Sequence, residues 1–235
     1  MATIYDFNMD GGDWTGWTAQ YTDGGYLIIE AAAKYSGSYG VRVQTHDLSA
    51  NPIYSYITIS STKRIRMRYY LNIEYLTLAN YNTITIANIA SAATQVARMR
   101  IYNSNGTYQI YAMWYDDTST GHEDTYYNIT KTGWHYYEWD LKFSSSAGAN
   151  DGFSQWWVDG TLKGDISGLD NDTHSAVYPS YGVRWGFNTN DTGYIYMDEF
   201  KANNDGSAIG GISAGETLSV LIDPTTSFKD GLRVI

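Results

Sequence analysis

Glu138 and Asp140 stand two residues apart in HYYEWDLK, so on an extended strand both carboxylates face one side. Two carboxyl groups about 5–5.5 Å apart are what a retaining glycosidase uses, one as nucleophile and one as acid/base. A second pattern is basic. Arg64, Arg66 and Arg68 alternate with Ile65, Met67 and Tyr69, and Arg98 and Arg100 alternate in the same way in ARMRIY. Guanidiniums in such a row can grip carboxylates bidentately, those of an acidic glycan or of a partner. In a chain rich in acid, cross-strand pairing with Asp and Glu is their more ordinary use. A third pattern is aromatic. Trp114, Tyr115, Trp134 and Tyr136 are candidates for a platform on which pyranose C–H faces stack, and with Arg64 and Arg66 they make up the candidate carbohydrate-binding set. Packing in the sheet is the ordinary role of any single Trp. Trp156 and Trp157 are adjacent and point to opposite faces, so one belongs to the core, while Trp14, Trp17 and Trp185 are expected at sheet edges.

Other chemistries are poorly equipped. The histidines, His46, His122, His135 and His174, lie in separate segments. There is no GxxxxGK[ST] phosphate loop and no HExxH metal motif. With no cysteine, thiolate catalysis, disulfides and Cys-bound zinc are excluded.

Strands must position these groups. Alternating runs are predicted over 4–8, 25–30, 39–45, 53–59, 63–74, 83–89, 95–102, 107–115, 133–143, 153–159, 181–187 and 193–202. In 133–143, Tyr137, Trp139, Leu141 and Phe143 are assigned to the core and Trp134, Tyr136, Glu138, Asp140 and Lys142 to the other face. Asp159-Gly160, between WWV and TLKGDI, predicts a type I′ hairpin, in which both turn residues need positive φ. Many short strands without alternating helices mean a sandwich or barrel. The 235 residues suit one large β domain. Residues 1–203 are read as that domain and 204–235 as a polar, small-residue linker followed by a strand-like tail. The tail would add a strand to its own sheet or to a neighbouring subunit, and in the second case Leu218, Val220, Ile222 and Phe228 are the candidate assembly residues.

Bulk composition narrows partners. The formal net charge of −10 argues against nucleic acid, and no apolar run is long enough for a membrane span. The opening MATIYDFNMDGG shows no basic or apolar leader region, so no secretory signal is expected. Tyr and Trp, 23 and 8 in number, fit both a pleated surface and a binding surface.

Three stretches carry a family resemblance: DFNMDGGDWTGWT (Asp6 to Thr18), GFSQWWVDGTLKGDISGLDN (Gly152 to Asn171) and GYIYMDEFKANNDG (Gly193 to Gly206). In that order the chain resembles the concanavalin A-like lectin/glucanase (LamG-like) domains, which implies an all-β, two-sheet antiparallel jelly-roll sandwich. Such domains occur in carbohydrate-binding modules and in structural proteins of tailed phages. The resemblance also implies a structural Ca²⁺ held by an acidic residue of the first strand and one of the last, here Asp6 and Asp198. The laminarinase-like branch carries Glu-x-Asp-x-x-Glu, whereas position 143 is Phe here, and ARMRIY echoes the Arg-rich strand of alginate-lyase-like relatives without their Gln-x-His. A non-enzymatic role is therefore expected. The leading expectation is a virion structural protein, a capsid-decoration or tail-associated subunit. Its partners would be further copies of itself or a capsid or tail protein, and cell-surface glycans its ligands. The alternative is an extracellular carbohydrate-binding module, and a lyase or hydrolase ranks last.

Overall fold

The computed structural model describes residues 4–7, 9–45, 52–91 and 94–212. Two antiparallel sheets pack face to face. Sheet A contains β1 (Ile4–Phe7), β3 (Leu27–Glu30), β4 (Gly40–Gln44), β6 (Arg64–Asn72), β12 (His135–Lys142), β13 (Gly152–Val158), β14 (Thr161–Leu169) and β16 (Tyr194–Asn203). Their order is β14-β13-β12-β6-β16-β4-β3, with β1 also paired to β16. Sheet B contains β2 (Ala19–Tyr21), β5 (Ile53–Tyr56), β7 (Thr83–Ser91), β8 (Thr94–Ser104), β9 (Thr107–Tyr115), β10 (Gly121–Glu123), β11 (Tyr127–Asn128) and β15 (Tyr178–Trp185). Its order is β10-β9-β8-β7-β15-β5-β2, with β11 beside β9. This is the expected all-β jelly-roll sandwich.

Period-two alternation builds the core between the sheets. β6 turns Ile65, Met67, Tyr69 and Leu71 inward, and β12 sets Tyr137, Trp139 and Leu141 beside them, all buried. Phe143 and Trp156 complete the layer. Trp139 and Trp156 reconcile full burial with their indole N–H groups, which donate to Ser154 Oγ at 3.0 Å and Asp124 Oδ2 at 2.8 Å. In β16 a register shift between Asp198 and Lys201 inserts an extra residue, with Glu199 at φ 56°. Met197 and Phe200, three apart, therefore both face the core.

The Asp159-Gly160 turn has φ of 48° and 76°, as the hairpin requires. The strand beyond it, β14, lay outside the predicted strands. It is an edge strand with mostly exposed side chains, so its apolar alternation is weak. Trp17 is a core residue rather than an edge one, stacked on Tyr181 at 5.8 Å and packed against Phe200 at 5.4 Å.

The stretch after β16, expected to be a linker, is seated on the outer face of sheet A as far as Ile212. Glu138 accepts from the backbone N–H of Ile209 at 2.7 Å and of Gly210 at 3.0 Å. Arg66 donates to Gly206 O at 3.2 Å and Arg68 to Gly210 O at 3.1 Å. The Tyr70 hydroxyl accepts from Ile212 N and donates to Ile212 O. Glycine is needed where this strap lies flat: a Cβ at Gly206 would meet the Arg64 guanidinium at 2.0 Å, and one at Gly211 the Tyr136 ring at 2.6 Å. The assembly candidates Leu218, Val220, Ile222 and Phe228 lie outside the described residues, as does His46.

Candidate functional site

The two arginine stripes lie on the two opposite outer faces. Those of β6 are neutralised. Arg64 makes a two-point contact with Asp140 at 3.0 and 2.7 Å. Arg66 meets Glu138 at 2.5 Å and Asp140 at 3.5 Å. Arg68 faces Glu199 at 3.6 Å. The Glu138/Asp140 pair thus lies on one face, as its spacing predicts, but both carboxylates are buried and engaged by arginine, Glu138 also by the strap. Arg64 and Arg66 are structural ion-pair residues, and the strap closes over them.

The β8 stripe is different. Arg98 and Arg100 face outward on sheet B, between β7 (TITIANIAS) and β9 (TYQIYAMWY), neither of which carries an acidic residue. The end of β15 adds Arg184 and Trp185. The register breaks between Tyr181 and Trp185, with Gly182 at φ 116°, and these adjacent side chains both reach the outer face. A row results in which cations and rings alternate. Arg184 lies 4.8 Å from the Tyr54 ring and 4.4 Å from Trp185. Arg98 lies 5.3 Å from Trp185 and 5.3 Å from Tyr115. Arg100 sits over Tyr111 at 5.6 Å and has Glu123 at 3.7 Å.

Among the described residues, neither Arg98 nor Arg184 has a carboxylate within 4 Å. Burial holds both guanidiniums below the ordinary arginine pKa, with neighbouring arginines lowering Arg98 further and neighbouring tyrosines partly opposing the effect at both. Nε of Arg98 and Nε of Arg100 are buried without a hydrogen-bond partner. Asn88, in register with Arg98 on one side and Ser180 on the other, is fully buried, and its side-chain N and O both lack partners. Buried polar atoms are normally satisfied, so the row lies over an unusual set of unpaired polar groups. The row continues into rings: Tyr21 stacks on Tyr54 at 4.9 Å, and Tyr178 meets Tyr56 edge-on at 5.7 Å.

The predicted aromatic set is divided between three places. Tyr115 belongs to the sheet B row. Trp114 faces inward, 7 % exposed and stacked on His122 at 4.3 Å, so it is a core residue and not a platform. Its register partner Ala97 is likewise internal, which fixes the side. Trp134 and Tyr136 are on sheet A, with Tyr136 beneath the strap at Gly211. The residues around this row that the sequence reading did not single out are Tyr54, Asn88, Arg184 and Trp185.

The two residues expected to hold calcium are engaged elsewhere. Asp6 is exposed and paired with Lys201 at 2.8 Å. Asp198 is buried and accepts three backbone N–H groups, from Tyr35, Ser36 and Glu199. A carboxylate whose oxygens face N–H donors offers little to a hard cation, and these two residues do not fit the ion. A different acidic group, Asp117, Asp170 and Asp172, gathers its oxygens within 4.8 Å. Asp117 already accepts from the backbone N–H and the hydroxyl of Thr173.

No protein-family model matches the sequence, and no curated protein does. Solved structures share the fold. An endo-β-1,4-glucuronan lyase from the fungus Trichoderma reesei superposes with a TM-score of 0.64 at 12% identity, over 86% of this chain and 94% of that one. An alginate lyase gives 0.57 at 14%, over 85% and 96%. A carbohydrate esterase from a Shiga toxin-encoding bacteriophage gives 0.57 at 10%, over 87% and 99%. The chain therefore has the jelly-roll architecture found in carbohydrate-active proteins.

Proposed function

We propose that the chain is a non-catalytic binder of acidic glycans and that the outer face of sheet B is the binding surface. One observation carries this reading: Arg98 and Arg184 are partly buried without a carboxylate among the described residues, in a protein of net charge −10. Such a chain has carboxylates to spare, and on sheet A it uses them. Dehydrating a cation without a counter-charge is costly, and an anionic ligand removes the cost. A uronate polymer brings one carboxylate per sugar for Arg98 and Arg184, and a C–H face for Tyr115 and Trp185. The uronate polymers in the names of the two lyases support the same substrate class.

The non-catalytic part of the reading rests on proton transfer. Removing a sugar proton near neutral pH needs a base of matched pKa. The titratable oxygens around the described row are tyrosines and Glu123; burial pushes Tyr54 and Tyr111 upward, and Glu123 sits at the row's end, engaged by Arg100 and by the Tyr126 hydroxyl. The setting proposed is the surface of a virus particle, with copies of the chain or a capsid or tail protein as partners; the phage esterase of the same fold supports it. The alternative is a binding module of a secreted glycan-active protein, which would use the same face.

Electrophoresis through gels containing alginate, polyglucuronate or a neutral β-glucan tests the reading, with ultraviolet detection of unsaturated sugar ends alongside. The acidic polymers should retard the protein, less so at high salt and less so after Arg98→Ala and Arg184→Ala, with no unsaturated ends formed. Retardation indifferent to both substitutions would remove sheet B from the account. Accumulation of unsaturated ends, lost in the same variants, would make the protein a lyase.

A further inference from the structure

As far as Ile212, beneath the Tyr35 and Tyr70 hydroxyls, the strap covers the charged rows of sheet A from Arg64 and Asp140 to Tyr70. Beside that described stretch lies the aromatic end of the face, where Tyr75 is exposed. Tyr35 meets Trp134 edge-on at 5.6 Å, and Trp134 runs nearly parallel to Tyr196 at 6.5 Å and 17°. Tyr196 lies 4.9 Å from Tyr194 and 5.7 Å from Tyr75, and Tyr75 stacks on Tyr194 at 4.9 Å and 24°. Tyr75 is 48% exposed, and Trp134, Tyr194 and Tyr196 are half-buried.

We infer that this end of sheet A is a second binding site, separate from the sheet B row, and that it takes an uncharged pyranoside chain. The chemistry of the patch selects the ligand. The guanidinium against these rings is already neutralised: Arg42 lies over Tyr194 at 5.8 Å and is held by Glu30 at 3.0 Å. Unlike Arg98 and Arg184 on sheet B, it is not left for the carboxylate of an acidic chain. The patch is made of rings with polar tips, three phenols and one indole, and an aliphatic partner would cover those hydroxyls without satisfying them. A neutral sugar chain alternates C–H faces with hydroxyl groups and satisfies both. The inference does not rest on the reading of sheet B, because no residue is shared.

Ligand-observed saturation-transfer NMR and calorimetry on the full chain, with cellohexaose and maltohexaose as probes, test it. At least one probe should bind. Trp134→Ala and Tyr75→Ala should each weaken it by roughly tenfold, the loss of one stacking ring, and excess alginate oligosaccharide should not displace it. Tyr75 is exposed enough that its substitution should leave the thermal unfolding curve in place, so loss of binding there is not loss of fold. Three results would overturn the site: no binding of either probe, binding that survives both substitutions, or displacement by alginate. A change in solution mass on Tyr75→Ala, read by light scattering, would also overturn it, by making the patch a contact between copies. Each result leaves the sheet B reading to its own variants.

Discussion

Arg66 on one outer face and Arg98 on the other both sit on interior strands, flanked by core-facing apolar neighbours, yet their surroundings are opposite. Arg66 has Glu138, Asp140 and a backbone carbonyl of the strap about it, and its guanidinium also lies 4.4 Å from Trp157. Arg98 has two rings and an Asn whose amide is unpaired. Sheet A uses charge to hold the fold together, and its groups are saturated by one another. Sheet B leaves charge unsatisfied at some expense of stability, which is the usual signature of a surface kept for a ligand. The difference teaches that an arginine stripe is informative only together with what stands opposite it.

The contrast makes predictions of decreasing size. Glu138→Ala should be the most damaging, because it strands Arg66 and two strap N–H groups in a buried setting. Losses on the order of 3–5 kcal/mol are expected when one partner of a buried pair is removed, measured as the midpoint of urea unfolding. A shift below about 1 kcal/mol would mean the strap and ion pairs carry little of the fold. Arg98→Ala should behave in the reverse sense. Unfolding should stay within about 1 kcal/mol of the parent, since no ion pair is broken, while affinity for an alginate oligosaccharide falls roughly 10- to 100-fold, the worth of a charged hydrogen bond. Equal damage to stability from both substitutions would erase the distinction between the faces.

Gly206→Ala should cost about 1–3 kcal/mol. Its φ of 74° disfavours any side chain, and the new Cβ would press on the Arg64 guanidinium. An unchanged melt would show that the strap is not seated there.

A pH-dependent effect concerns Asp198, whose burial pushes its pKa up to about 7, against the pull of three backbone N–H groups. The native protein then holds a proton that the unfolded chain, with a carboxyl near its ordinary 3.8, releases between these values. The contribution of this group is fully present below about pH 4 and is lost as pH rises to about 7. Asp198→Asn should flatten that decline in chemical unfolding measured across the range. A decline identical in parent and variant would assign it elsewhere.

Much of the fold was legible because alternation is a local signal. The inward set of β12 and the Asp159-Gly160 turn follow from adjacent residues alone. The short strands β2, β10 and β11 carry too few residues to alternate, and β14 is an exposed edge. The faces of Trp114 and Tyr115 were harder. Neighbouring residues on a strand point to opposite sides, and only the register against Ala97 and Arg98 says which side is core. The site was legible in part. Arg98 and Arg100 stood out, but Arg184 and Trp185 reach them from a strand more than eighty residues on, through a register break that no local pattern announces. A usable signal did exist. The strand that pairs with Arg64, Arg66 and Arg68 carries Glu138 and Asp140 at matching alternation, whereas the strands on either side of Arg98 and Arg100 carry no acid at all.

The most direct test reads the guanidinium groups themselves. Arginine Nε–Hε correlations, assigned by substitution, would be followed while an alginate or polyglucuronate oligosaccharide is added. The account predicts that the Nε–Hε signals of Arg98, Arg100 and Arg184 move together with ligand concentration while those of Arg64, Arg66 and Arg68 stay in place. Movement confined to the sheet A arginines, or no movement of any of them with acidic ligand in excess, would contradict it.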